Sequence, residues 1–102
     1  VAKHKVKNAV EFIGRYEEVV AHAADARGVD GVVCGHIHTA EMRRIGNVDY
    51  YNDGDWVESC TALVEHVDGR MEVLHWADEI AARKAAELVA AEATEALVAL
   101  AA

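Results

Sequence analysis

The sequence has no proline, only two cysteines and a single phenylalanine, and it carries ten Lys and Arg against eighteen Asp and Glu in 102 residues. Each scarcity removes a class of explanation. The formal net charge of -8 at pH 7 argues against a nucleic-acid surface, because neutralising phosphates takes clustered cations. The only local cluster is Lys3, Lys5 and Lys7, a weak patch. Two cysteines cannot define a disulfide framework, so a reducing, cytoplasmic setting is expected. Cys34 reads as a small core residue, and Cys60 falls in an expected strand. No run approaches the roughly 18 consecutive apolar residues needed to span a bilayer, and the N-terminus lacks the apolar centre of a signal peptide. A chain of this length, 53% hydrophobic, holds one domain with a modest core, or part of one. It opens on Val1 and on a helical pattern with no strand before it, so the expectation is a C-terminal fragment of a longer protein.

From Asn8 to Arg27 the apolar residues Phe12, Ile13, Tyr16, Val19, Val20, Ala23 and Ala24 recur at three- and four-residue spacing, which predicts an amphipathic helix. Asn8 is its expected N-cap, with Glu11 three residues on, and Gly28 its left-handed C-terminal stop. Asp30 to Cys34 is short and apolar on both faces, as expected of a buried central strand reached from a helix. Beyond Glu41 the text predicts a mostly antiparallel meander: Met42–Ile45, a Gly46-Asn47 turn, Val48–Tyr51, an Asn52-Asp53-Gly54-Asp55 turn, Trp56–Val67, and Arg70–Trp76 after Asp68-Gly69. The Ala-rich tail from Ala77 to Ala102 has high helix propensity, with Glu79 and Arg83 paired at i,i+4. A packed terminal helix with a frayed end is expected. The division is thus 1–76 and 77–102, and the class is α/β (α+β).

Gly35-His36-Ile37-His38 stands at the carboxyl end of the first predicted strand, the edge at which open α/β sheets bind ligands. In an extended segment residues two apart share a side, so His36 and His38 can reach a common metal centre while Ile37 turns inward. Histidine pairs at this spacing occur in unrelated metal sites, and context separates them. No third His and Asp follow shortly after His38, as a metallo-β-lactamase pattern requires. The meander contradicts the alternating strands and helices of an amidohydrolase barrel. A mononuclear Cys34, His36 and His38 zinc site lacks an evident fourth ligand.

The Gly35-His36-Ile37-His38 motif resembles the last metal motif of the calcineurin-like metallophosphoesterase superfamily, Gly-His-x-His on a loop after a buried strand. Val6 to Ile13, Gly31 to Cys34 and Tyr50 to Glu65 resemble the C-terminal third of one branch, bacterial phosphoesterases similar to UDP-2,3-diacylglucosamine pyrophosphatase. The likeness covers roughly Val6 to Trp76 and stops before the tail. It implies the C-terminal portion of a four-layer α/β/β/α sandwich. It also implies two divalent metals, manganese first and zinc or iron otherwise, with His36 on one and His38 on the other. The implied reaction is hydrolysis of a phosphoester or pyrophosphate bond, in a small phosphoester or a nucleotide-linked lipid of lipid A synthesis. The family's upstream motifs, Asp-x-His, Gly-Asp-x-x-Asp and Gly-Asn-His-Glu, are not in this sequence. The fragment alone is therefore expected to be inactive, with no catalytic residue of its own. Lys3 and Lys5 would meet anionic lipid or nucleotide, giving contact with the inner membrane from the cytoplasm. A half-covered sheet implies an oligomeric or strand-exchanged chain.

Other residues have plainer readings. Asn52-x-Gly54-Asp55 resembles the Asn-x-Gly-Ser turn near the family's active site, yet a tight turn explains every residue but Asp55. Tyr50, Tyr51 and Trp56 read as core or sheet-face residues. Arg43 and Arg44 read as solvated strand residues, with a substrate phosphate the sharper alternative. His4, His22, His66 and His75 have no partner at ligand spacing, and His66 and His75 are placed as cross-strand neighbours. A different class of function, a non-catalytic zinc-binding or protein-interaction module, stands beside the hydrolase reading.

Overall fold

The computed structural model describes residues 2–102, a mixed α+β chain of two helices and two small sheets. Helix α1 spans Ala2–Ala26, starting before the predicted Asn8 cap. Ala2 to Lys7 contains no Gly or Pro, and Ala and Lys rank among the better helix formers, so nothing in that stretch stops the helix from extending N-terminally. Its end is as expected. Gly28 has φ 72, its N–H donates to the Asp25 carbonyl at 2.9 Å and the Val29 N–H to Ala24 at 3.3 Å. That pair of bonds is a Schellman cap, which satisfies carbonyls the helix would leave unpaired.

The first sheet contains β1 (Gly31–Cys34), β2 (Glu41–Ile45) and β3 (Val48–Asn52) in the order β1-β3-β2. β1 runs parallel to β3, with Cys34 opposite Asn52, and β2 pairs antiparallel to β3 through the Gly46-Asn47 turn. This corrects the expected buried central strand. Among the described residues β1 is an edge strand with Gly31 and Val33 exposed, and β3 holds the centre. β3 occupies that place because Val48, Tyr50 and Asn52 all point to the α1 face and are buried, the period-two pattern of a strand with one covered face.

The second sheet is a hairpin of β4 (Thr61–Glu65) and β5 (Met71–His75), turned through Asp68-Gly69 with Gly69 at φ 90. It is separate from the first sheet, so the predicted, mostly antiparallel meander is divided between two sheets. The predicted Trp56–Val67 strand is shorter by five residues at its start, because 56–59 bend and Cys60 has φ 51. Helix α2 (Trp76–Ala101) follows β5 with no intervening loop, and Trp76 belongs to it rather than to the strand. The tail is helical as expected but not packed: α2 buries no residue. Ile80, Leu88, Val89, Leu97, Val98 and Leu100 do not line up as one stripe, so its helicity rests on alanine propensity.

The buried apolar core is Ala21, Ala24, Val48 and Tyr50. The accessible surface of 7777 Å² exceeds the roughly 5,700 Å² expected of a folded monomer of this mass. The radius of gyration is 20.5 Å, against about 13 Å for a compact domain of this length. Packing therefore concentrates where α1 crosses β1 and β3, and that is the part that positions the histidine loop.

Candidate metal loop

Parallel pairing brings the segments after β1 and β3 out at the same sheet edge. The Asp53 N–H donates to the Cys34 carbonyl at 3.0 Å, so Gly35–Thr39 and Asp53–Ser59 leave side by side. Within the first segment His36 has φ 74 and His38 φ 54, both left-handed. The Ile37 N–H donates to the Gly35 carbonyl at 2.9 Å, closing a three-residue turn centred on His36 with the rare positive φ. A side chain other than glycine held in such a region costs on the order of 1–3 kcal/mol, and persists only where surroundings enforce it.

The extended geometry expected of His36 and His38 is thus replaced by a coiled one. A strand requires negative φ at both residues, and neither has it. Both imidazoles are nevertheless exposed, while Ile37 is half-buried, as the sequence pattern anticipated. The His36 ring lies 5.9 Å from the Tyr16 ring at 42°, which braces it from α1.

The enforcing surroundings are visible. The Gly35 carbonyl accepts from the Ile37 N–H, from the Tyr16 hydroxyl at 3.1 Å and from Asn52 Nδ2 at 3.1 Å. Asn52 is 0% exposed, its Nδ2 also reaches the Tyr50 hydroxyl at 3.2 Å, and its Oδ1 accepts the Gly54 N–H at 3.0 Å. Asn52 therefore joins the histidine loop to the next loop, a role beyond that of a turn former. The signal for it was the polar residue on the alternating buried face of β3, after Val48 and Tyr50. Burial raises the Tyr50 phenol far above its ordinary value, with further contributions from Cys34 and Glu17. The Tyr16 phenol is also raised, by burial first and then by Cys34.

Asp55 has a local explanation. Its Oδ1 accepts the N–H groups of Glu58 and Ser59 at 2.6 and 3.2 Å. Those bonds, the Glu58 one foremost, hold its carboxyl below the ordinary value, and His38 adds a smaller charge effect. Thr61 Oγ1 accepts the Asp55 N–H at 3.0 Å and donates to the Asp53 carbonyl at 3.0 Å, which pins the second loop onto β4.

Two exposed imidazoles are suitable donors for a divalent metal. Among the described residues no three His, Cys, Asp or Glu side chains converge to hold an ion. Cys34 does not join them as a third: its thiol donates to the Tyr51 carbonyl at 3.4 Å.

Other candidates are absorbed by structure. Arg43 pairs with the buried Glu17 at 3.1 Å, and Arg44 with Asp49 at 3.0 Å. His66 lies 2.6 Å from Glu72, whereas His75 faces Thr61, so the two histidines are not cross-strand neighbours. Tyr50 is core and Tyr51 half-buried, as read, but Trp56 is 56% exposed. It stands 6.3 Å from Trp76 at the rim of an open hollow of about 460 Å³ that also touches Val33, Asp53, Asp55 and Leu63. No helix of the described residues is long and apolar enough to cross a membrane. No protein-family model, curated protein or solved structure matches this chain.

Proposed function

We propose that this chain carries one wall of a dinuclear metallophosphoesterase site, with His36 and His38 as ligands to two divalent metals. The observation that supports this most is the histidine loop itself. Two left-handed imidazole-bearing residues in three positions, at the carboxyl edge of a parallel strand pair, are a costly arrangement, entered through a Gly35 carbonyl held by part-buried hydrogen bonds from Tyr16 and Asn52. When bound, paired divalent metals supply charge neutralisation and a water activated at neutral pH. The residues of this chain hold and orient: α1 and β3 fix the loop, and His36 and His38 present their rings to solvent.

α1 packs on the first sheet and β2 approaches β5, while the full four-layer α/β/β/α order is what the resemblance implies for the complete domain. The substrate class follows from the sequence resemblance alone: a phosphoester or pyrophosphate, with a nucleotide-linked lipid favoured, handled from the cytoplasmic side of a membrane. This reading takes the carboxylate and asparagine ligands of such a site from outside these 102 residues.

The coding sequence upstream of Val1 tests the assignment. Asp-x-His and Gly-Asn-His-Glu motifs there support it, and an unrelated upstream sequence contradicts it. The present chain, assayed with manganese and a chromogenic phosphodiester, is expected to show no turnover. Robust turnover abolished by His36→Ala would show that the site is complete within the chain.

A further inference from the structure

We propose that Tyr16 and Asn52 are positioning residues for the histidine loop, acting together through the Gly35 carbonyl; as regards metal binding, this rests on the reading of His36 and His38 as ligands. A carbonyl oxygen has two lone pairs, yet Gly35 accepts from three donors at 2.9–3.1 Å, one each from α1, β3 and its own loop. That convergence fixes the peptide plane entering His36, and hence the φ of 74 from which its imidazole projects.

The orientation of the Asn52 amide is determined by its partners. Its Oδ1 faces the Gly54 N–H, which can only donate, and its Nδ2 faces the Gly35 carbonyl, which can only accept. A carboxylate of the same shape would set oxygen against oxygen at Gly35. Asn52→Asp therefore breaks one contact without changing volume, and Tyr16→Phe removes the other donor while keeping the ring beside His36.

The test is NMR on the full chain. Residues with positive φ give a strong intraresidue amide-to-Hα NOE, and His36 and His38 are expected to show it. In both variants that signature weakens at His36 while the Val48 and Tyr50 amides stay in place. Manganese broadening of the His36 and His38 ring protons then needs about tenfold more metal, the lower end for residues that orient ligands. An unchanged NOE signature in both variants overturns the proposal. If Asn52→Asp unfolds the chain, Tyr16→Phe decides by the same criterion. A signature that weakens as expected, in a wild-type chain whose rings manganese never broadens, upholds the positioning role and refutes the metal reading.

Discussion

Gly54 and Thr61 are packed so closely that a Cβ added to Gly54 would lie 2.1 Å from the Thr61 hydroxyl and 2.9 Å from the Ala40 Cβ. Gly54 also has φ 74, so space and backbone both demand glycine there. Thr61 cannot retreat, because its hydroxyl holds both Asp53 and Asp55. Gly54→Ala is expected to destabilise the chain by about 3 kcal/mol, combining overpacking and strain. Its urea midpoint should fall well below wild type, whereas Gly46→Ala, with nothing within 4 Å of an added Cβ, should lose about 1 kcal/mol from its positive φ alone.

Arg43 is predicted to matter for stability. Its guanidinium is the ion-pair partner of Glu17, whose side chain is only 8% exposed. Arg43→Ala leaves that carboxylate in a poorly hydrated place and should cost about 2 kcal/mol. Arg44→Ala breaks an exposed pair with Asp49, worth at most about 1 kcal/mol. Equal losses in thermal unfolding would contradict the distinction.

Alkaline stability should be governed by buried phenols. The Tyr50 hydroxyl titrates above its ordinary value of 10.0 in the folded chain because burial disfavours the anion. The folded state then binds more protons than the unfolded one above that pH, so stability falls as pH rises beyond about 10. Tyr50→Phe, which loses a hydrogen bond worth roughly 1 kcal/mol at neutral pH, should flatten this alkaline slope. Tyr16, shifted in the same direction, accounts for what remains. Denaturant midpoints from pH 8 to 11 give the comparison.

Asp55 acts at the opposite end of the scale. Its carboxyl is held below the ordinary 3.8 by the Glu58 and Ser59 N–H groups. Its contribution is thus complete above the unfolded value and is lost as pH falls through the lower folded value. Asp55→Asn should weaken the acid dependence below about pH 4 and leave the pH 7 fold in place. An acid profile identical to wild type would remove Asp55 from the explanation.

Much of the fold was legible because local chemistry decided it. Gly28 after an amphipathic run, Gly46-Asn47 and Asp68-Gly69 each marked a chain reversal that the structure contains. The start of α1 was misplaced because an Asn can sit inside a helix at small cost when no stronger signal contradicts it. β1 was read as central from its apolar text, but its position depends on which strands lie beside it, and strand order is not written in one strand's composition. The histidine loop was found from residue type and place, while its left-handed backbone was not, since His rarely adopts it without tertiary bonds such as those from Tyr16 and Asn52. Asn52 is the turn former that its sequence predicts, its Oδ1 accepting the Gly54 N–H, while its bond to the Gly35 carbonyl crosses a strand pairing that only folding creates.

The central claim is most directly tested by titrating the chain with manganese while observing the ring protons of all six histidines. The expected result is weak, rapidly exchanging broadening confined to His36 and His38, with none at the four remaining histidines of a chain carrying His36→Ala and His38→Ala. Broadening spread evenly over His4, His22, His66 and His75, or one tightly held zinc per chain that is lost on Cys34→Ser, would contradict it.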